Sequence, residues 1–274
     1  MKDFKKVLAV LMAGFMLVSL AACGGKKDEA LPKMGRLEAT AVDGCEYREH
    51  IDTVHADDPK MEHAYYNNLS AMLMDLNSNK IMSIGVDKSI ADFIVVRNEN
   101  LMSVILDTWK DNFSMMTMDS NQEVYDILND AIKEMKADGT LDSLIENELK
   151  TYINSDPGPK DLPHFDGAKT IKIGVTGDLP PMDFVSSDGK AAGFNIALLT
   201  EIANRAHVNF ELVQIETGAR PMALSSGKVD AVFWTKSVTC LACDMTWTEE
   251  IENTHVTETY YSEFSAFVMP KSEK

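Results

Sequence analysis

The sequence predicts an α/β protein with a largely parallel sheet, divided into two parts. Strand and helix patterns alternate along both halves of the chain, as a sheet with crossover helices requires. A Pro- and Gly-rich stretch, Asn154–Gly167, separates two periodic regions. The length, 274 residues, exceeds one average domain.

The elements follow in chain order. Residues 1–22 open on a basic stub with Lys2, Lys5 and Lys6 against Asp3, and continue into the apolar run Val7–Leu20. Ala21-Ala22-Cys23 closes it, so the segment reads as a secretory signal. The run is shorter than the ~20 apolar residues that a membrane span needs. Residues 23–34 are a polar tether. Arg36–Val42 and Ile81–Val86 read as strands, Tyr65–Leu76 and Ser89–Arg97 as helices. Met115-Met116-Thr117-Met118 reads as an apolar strand. In Asn121–Tyr152, Val124, Leu128, Ile132, Met135, Leu141 and Leu149 recur at helical spacing, broken by a turn at Asp138-Gly139. Beyond the linker come a strand at Thr170–Thr176, a Pro180-Pro181 turn and a helix at Phe194–Ala206. A strand at Asn209–Ile215, a short helix at Met222–Ser226 and a buried strand at Val229–Trp234 complete the pattern.

Composition narrows the function. A net charge of −17 excludes a phosphate-gripping surface, because nucleic-acid affinity rests on clustered Lys and Arg. With 25% charged residues, 15 glycines and 9 prolines, the chain is neither collagen-like nor wholly disordered. No nucleophile elbow, P-loop or Gly-rich dinucleotide turn occurs, so the sequence offers no catalytic residues and no cofactor. His50, His55 and His63 lie near Asp57, Asp58 and Glu62, but their irregular spacing reads as a solvated polar stretch, not a metal site. No catalytic, cofactor or metal-binding group is expected.

Ile171–Phe233 resembles the opening lobe of the family 3 solute-binding proteins, the extracytoplasmic receptors of amino-acid-type ABC importers. The resemblance is carried by Asp178-Leu-Pro-Pro181, Asp188-Gly-Lys190 followed by Gly193-Phe-Asn195, and Ser226-Gly-Lys-Val-Asp230. Ser237-Val-Thr239 and Tyr260-Tyr261 belong to it as well. Ala131–Asp142 is similar to the closing helix of the same family, and Leu69–Asn100 to its second lobe. The resemblance implies a two-lobed periplasmic-binding-protein-like (type II) fold. The order of its parts differs from the family's, which points to a circular permutation: 35–106 is lobe 2, 107–153 the hinge strand and closing helices of lobe 1, 154–168 the linker, and 169–274 the main part of lobe 1. A fusion of two incomplete receptors is the competing arrangement. Leu20-Ala-Ala-Cys23 resembles a bacterial lipobox, which implies acylation of Cys23 by palmitate-type chains and attachment to the outer face of a membrane.

By the same resemblance, ligand sits between the lobes at the carboxyl ends of strands. The lobe 1 candidates are Asp178, Met182, Asp183 and Phe184, then Trp234, Thr235, Ser237 and Thr239. The lobe 2 candidates are Gly44, Cys45, Glu46 and Asp87. An Asp at the Asp87 position binds the ligand's ammonium group in amino-acid receptors of the family; the plainer role is a helix N-cap. The family's carboxylate-gripping Arg is replaced by Ala242, with Arg220 or Lys236 as nearby substitutes. A cationic, polyamine-like or neutral polar ligand therefore suits the residues better than an ordinary α-amino acid. Cys240-x-x-Cys243 suits a disulfide or a redox pair outside the cytoplasm, with Cys45 either quiet or facing it across the cleft. The expectation is a lipid-anchored, extracytoplasmic, monomeric receptor, not an enzyme, that captures a small polar solute for an ABC transporter permease and binds no nucleic acid. An enzyme on the same fold (dehydratase-like) and a ligand-sensing receptor domain are the alternatives.

Overall fold

The computed structural model describes residues 31–37, 61–155, 158–241, 244–248 and 251–271, with the side chains of 234–236 left aside. The signal, Cys23, the strand expected beyond Leu37, and the candidates Gly44, Cys45, Glu46 and Cys243 lie outside the described residues.

The alternation of strand and helix is borne out as a mixed α/β sheet. The strands are β1 (Lys33–Leu37), β2 (Glu62–Tyr66), β3 (Ser83–Asp87), β4 (Leu101–Met118), β5 (Thr170–Val175), β9 (Asn209–Gln214), β10 (Ala231–Cys240) and β13 (Tyr261–Pro270). The short β6 (Asp178–Leu179), β7 (Asp183–Val185) and β8 (Ala191–Ala192) form a separate small sheet. The main sheet runs β2-β1-β3-β13-β4-β10-β5-β9, with β11 (Met245–Thr248) on β10 and β12 (Thr254–Val256) on β4. Pairs within β2-β1-β3 and within β10-β5-β9 are parallel, as the sequence predicts. β4 and β13 are antiparallel to their neighbours and join the two parallel sets.

The joint depends on the length of β4. At ~3.3 Å per residue its 18 residues span roughly 60 Å, enough to serve both halves of the sheet. Leu101–Leu106 pairs with Ser265–Pro270, and Lys110–Phe113 with Tyr261–Phe264. Between them the register shifts at Phe264/Ser265, leaving Asp107, Thr108 and Trp109 without partners on β13. Such an irregularity bends the ribbon where it passes from one parallel set to the other. The apolar Met115–Met118 strand is the far end of this element; the polar run Asp107–Asn112 hides the rest of it in the sequence.

The helices follow the apolar stripes. In α1 (Leu69–Asn77), Leu69, Met72 and Leu76 are buried, and Asn68 caps the start by accepting from the Ala71 N–H. The helix expected to begin at Tyr65 therefore starts four residues later. The chain before it, Glu62–Tyr66, alternates as a strand beside β1, and Asn67-Asn68 separates the two. α2 (Lys88–Arg97) starts directly from β3. α3 (Gln122–Asp138) buries Val124, Leu128, Ile132 and Met135 and stops at Gly139, whose φ of 80° is the left-handed conformation glycine accepts without strain. α4 (Thr140–Leu144), a π turn at Ile145–Leu149 and α5 (Lys150–Asn154) continue it. α6 (Phe194–Ala206) coincides with its predicted span and buries Phe194, Leu198, Leu199, Ile202 and Ala203. A 3-10 turn at Thr217–Ala219 leads into α7 (Arg220–Ser225). The largest apolar cluster is continuous, from Leu37 and Leu76 on one side of the sheet to Ile171 and Phe210 on the other. Among the described residues no helix is long and apolar enough to cross a membrane.

Candidate functional site

The carboxyl ends of β3 and β5 and the crossing part of β4 and β13 meet where the two halves join. Lobe 1 names the half with β5, β9 and β10, and lobe 2 the half with β1, β2 and β3. The small sheet β6-β7-β8 supplies the lobe 1 loop that meets lobe 2. Gly193 fixes this loop on α6. Its φ is 111°, and a Cβ there would lie 2.4 Å from the Met182 carbonyl oxygen, so no larger residue fits without a shift.

The loop carries four predicted residues, and each has partners. Asp178 reaches across to lobe 2, where its Oδ1 and Oδ2 accept from the Leu69 and Ser70 N–H groups at 3.0 and 3.1 Å. These amides open α1, and a carboxylate is favoured at a helix N-terminus. Beside it the Thr217 hydroxyl donates to the Asn67 carbonyl at 2.9 Å, a second link between the halves. Met182 is buried with its Sδ 3.8 Å from the Ser89 Oγ at the start of α2. Asp183 is buried, but it belongs to the loop's own framework. Its Oδ1 accepts from the Thr176 N–H, the Thr176 hydroxyl and the Gly177 N–H at 2.8, 2.6 and 3.0 Å, and its Oδ2 accepts from Asn195 at 2.9 Å. Phe184 packs its ring against Phe93 of lobe 2 and Tyr152 of lobe 1.

On β10, Trp234 and Thr235 pair through the backbone with Ser114 and Phe113. Ser237 Oγ accepts from the Asn112 amide at 3.0 Å, and that amide's oxygen accepts from the Ser262 hydroxyl at 2.8 Å. Thr239 lies 3.0 Å from Thr246 across the β10–β11 ribbon, oxygen to oxygen. The guanidinium of Arg220 donates to the Thr217 and Phe233 carbonyls at 3.1 and 2.8 Å, which ties down the loop that holds Thr217. Cys240 is buried and disulfide-bonded.

Asp87 sits where the resemblance puts it, at the end of β3 and the start of α2. It occupies the N-cap position, yet its side chain makes no capping hydrogen bond. Its carboxyl instead meets two others. Asp111 and Glu263 face each other in register across β4 and β13, and Asp87 pairs with Ser265 across β3 and β13. Asp111 accepts from the Ser265 hydroxyl at 2.5 Å. Glu263 accepts from the Ser89 N–H at 2.7 Å, the Ser89 hydroxyl at 2.6 Å and the Tyr261 hydroxyl at 3.2 Å. Burial pushes Asp87 well above the carboxylate range, helped by the charges of Asp111 and Glu263 and by a hydrogen bond shared with Asp111. Burial also raises Asp111, against the bonds from Ser265 and Asp87 and the charge of Arg36. Glu263 rises to about 7, driven by burial against the Ser89 and Tyr261 bonds. The group can therefore hold protons near neutrality, with Asp87 as the donor to Asp111. Burial first, then Glu263, raises the Tyr261 phenol above its ordinary value.

Asp111 and Glu263 are absent from the predicted set. The signal for Glu263 is the alternation Tyr261, Glu263, Ser265, which places three polar groups on one face of β13. Among the described residues no group of three His, Cys, Asp or Glu is placed to hold a metal ion.

Comparison with known proteins bears on the second half of the chain. Residues 171–274 match the bacterial extracellular solute-binding proteins, family 3. The L-arginine-binding protein of Pseudomonas aeruginosa is 27% identical over 108 residues, 39% of each chain, so this chain matches well under half the length of that relative. Two solved structures are similar at low identity. One is the ligand-binding component of an ABC-type import system from Staphylococcus aureus with zinc bound (12% identity, TM-score 0.45, 87% of this chain and 65% of that one). The other is the GluR0 ligand-binding core with L-glutamate (10% identity, TM-score 0.42, 90% of this chain and 87% of that one).

Proposed function

We propose, from the match of residues 171–274 to the bacterial extracellular solute-binding proteins of family 3, that this chain is an extracytoplasmic receptor that closes its two halves on a small polar ligand. The observation that carries the reading is the meeting of the β3–α2 junction with the lobe 1 loop: Ser89, two residues after Asp87, lies 3.8 Å from the Met182 Sδ, beside the β4–β13 crossing. Closing such a joint buries ligand between rigid halves and gives a permease a shape to read. The ligand is amino-acid-like or cationic. Asp87, Asp111 and Glu263 offer negative charge to an ammonium group, and the Arg220 guanidinium is engaged by backbone carbonyls. The receptor is not an enzyme, it serves an ABC importer, and it is held to the membrane through acylated Cys23.

The chain carries one receptor in permuted order. The parts before and after the 154–168 linker are complementary: the β2-β1-β3 set precedes it, the β10-β5-β9 set follows it, and β4 and β13 tie them. Surface termini joined by a loop make such reordering tolerable.

A thermal-shift panel of basic amino acids, polyamines, neutral amino acids and acidic amino acids tests the function. A rise in Tm with cationic or neutral polar compounds, about 2.7 kcal/mol of stabilisation at a hundredfold excess over Kd, is the expected result. A response confined to acidic amino acids overturns the cationic assignment, and turnover of a hit into product overturns the receptor reading.

A further inference from the structure

The three carboxylates lie where the halves of the molecule join, and their surroundings come from both halves. From lobe 2, Ser89 at the start of α2 binds Glu263, while Asp87 ends β3. From lobe 1, Met182 covers Ser89 and Phe194 packs on Tyr261, which also stacks on Phe113 of β4. Asp111 and Glu263 are carried by the two crossing strands, next to the register shift at Phe264/Ser265. In this structure Asp111 and Glu263 are buried where the halves meet, with the lobe 1 residue Met182 against Ser89 beside them.

Few positive charges oppose it. Among the described residues, Arg36 of β1 acts on Asp111, and Lys110 is its neighbour in β4. Lys88 of α2 is ion-paired with Asp92, which adds negative charge near Tyr261. Tyr260 is a buried phenol raised above its ordinary value by burial first, and the charges of Asp183, Arg220, Asp87 and Glu263 act on it. Ser89, Tyr261 and Ser265 are donors, but they serve Glu263 and Asp111, while the Asp87 carboxyl accepts from its own backbone N–H.

We propose that this cluster makes closure of the two halves proton-dependent. The closed form holds protons among Asp87, Asp111 and Glu263 that the open, hydrated form releases, so ligand-free closure is favoured in mildly acidic medium and relaxes as the pH rises. A cationic ligand takes over the protons' role, because its charge neutralises the cluster when they have left. The inference takes from the reading above only that the halves move apart. Each unit by which opening lowers a carboxyl's affinity for its proton shifts the closure equilibrium up to tenfold over the pH window in which that group titrates.

The test uses the full chain without ligand. Small-angle X-ray scattering gives the radius of gyration from pH 5 to 8, and hydrogen exchange gives the protection factors of the Leu69 and Ser70 amides, which bond across the halves. Wild type should expand and lose at least tenfold protection at those two amides across the range. Glu263→Gln and Asp111→Asn should each stay more compact at pH 8 and flatten the dependence. Carbon-13 NMR of the glutamate carboxyls in wild type should find Glu263 titrating well above the other glutamates. A pH-dependent expansion unchanged in both variants, or Glu263 titrating with the rest, overturns the proposal while leaving the receptor reading intact. A compact form that never opens, at any pH and with or without ligand, overturns both.

Discussion

Asp183 and Glu263 are both buried acids at the centre of the molecule, and they are solvated by opposite means. Asp183 receives four donors, two of them backbone amides, and fixes the turn between β5 and β7. Glu263 has donors too, from Ser89 and Tyr261, but it shares its space with Asp111 and Asp87. The first arrangement spends a charge on shape. The second crowds three carboxyls into one buried space, which raises all three above their ordinary values. Burial alone therefore does not mark a binding group; the supply of donors around it does.

The largest effect is expected where the donors converge. Asp183→Ala strands the Thr176 and Gly177 amides and the Asn195 side chain in a dry loop, at a cost of about 3–5 kcal/mol. Urea denaturation at pH 7 should show that loss, with Asp183→Asn intermediate. A loss below 1 kcal/mol would mean that water replaces the carboxylate and that the loop does not depend on it.

Glu263→Gln should act in the opposite direction. A carboxyl held above its ordinary value binds its proton more tightly folded than unfolded. Its contribution to stability is therefore complete below the ordinary value of 4.5 and is lost as the pH rises through about 7. Wild type should weaken over that interval by on the order of 3 kcal/mol from this residue. Asp87 and Asp111 add to the slope with the same sign. Glu263→Gln should remove much of the slope and be the more stable protein at pH 8, read from urea midpoints at pH 5 and 8. Asp75, Asp138 and Asp188 are held below the usual range by their hydrogen bonds, so they act only in acid and in the opposite sense.

The contrast also separates what the sequence discloses from what it hides. The α6 stripe from Phe194 to Ala203 and the Gly139 stop are local patterns, and both fall where they were expected, while strand bounds such as those of β1, β2 and β10 do not. Asp87 was legible because a resemblance assigned that position a role. Asp111 and Glu263 were not, because they come together only through pairing between residues far apart in sequence. The polar residues 107–112 also broke the apolar signal of the longest strand. Asp178 was legible as a cleft residue, but its engagement with the α1 amides depends on how the two halves meet.

That engagement gives the smallest predicted effect and separates the two kinds of acid from a third. Asp178 is neither framework nor unbalanced charge. It is half-exposed, and it bridges the lobes through two charge-assisted hydrogen bonds to amides that would otherwise be open to water. Because water can replace it at the α1 terminus, Asp178→Ala should cost only about 1 kcal/mol of global stability. The effect on closure should be larger than the effect on folding. Protection of the Leu69 and Ser70 amides should fall several-fold in ligand-free protein, while core amides of α6 keep theirs. Asp178→Asn, which retains one acceptor, should recover part of that protection. Equal loss of protection at α6 and at α1 would mean that Asp178 supports the fold as Asp183 does, and the distinction between bridging and framework acids would fail.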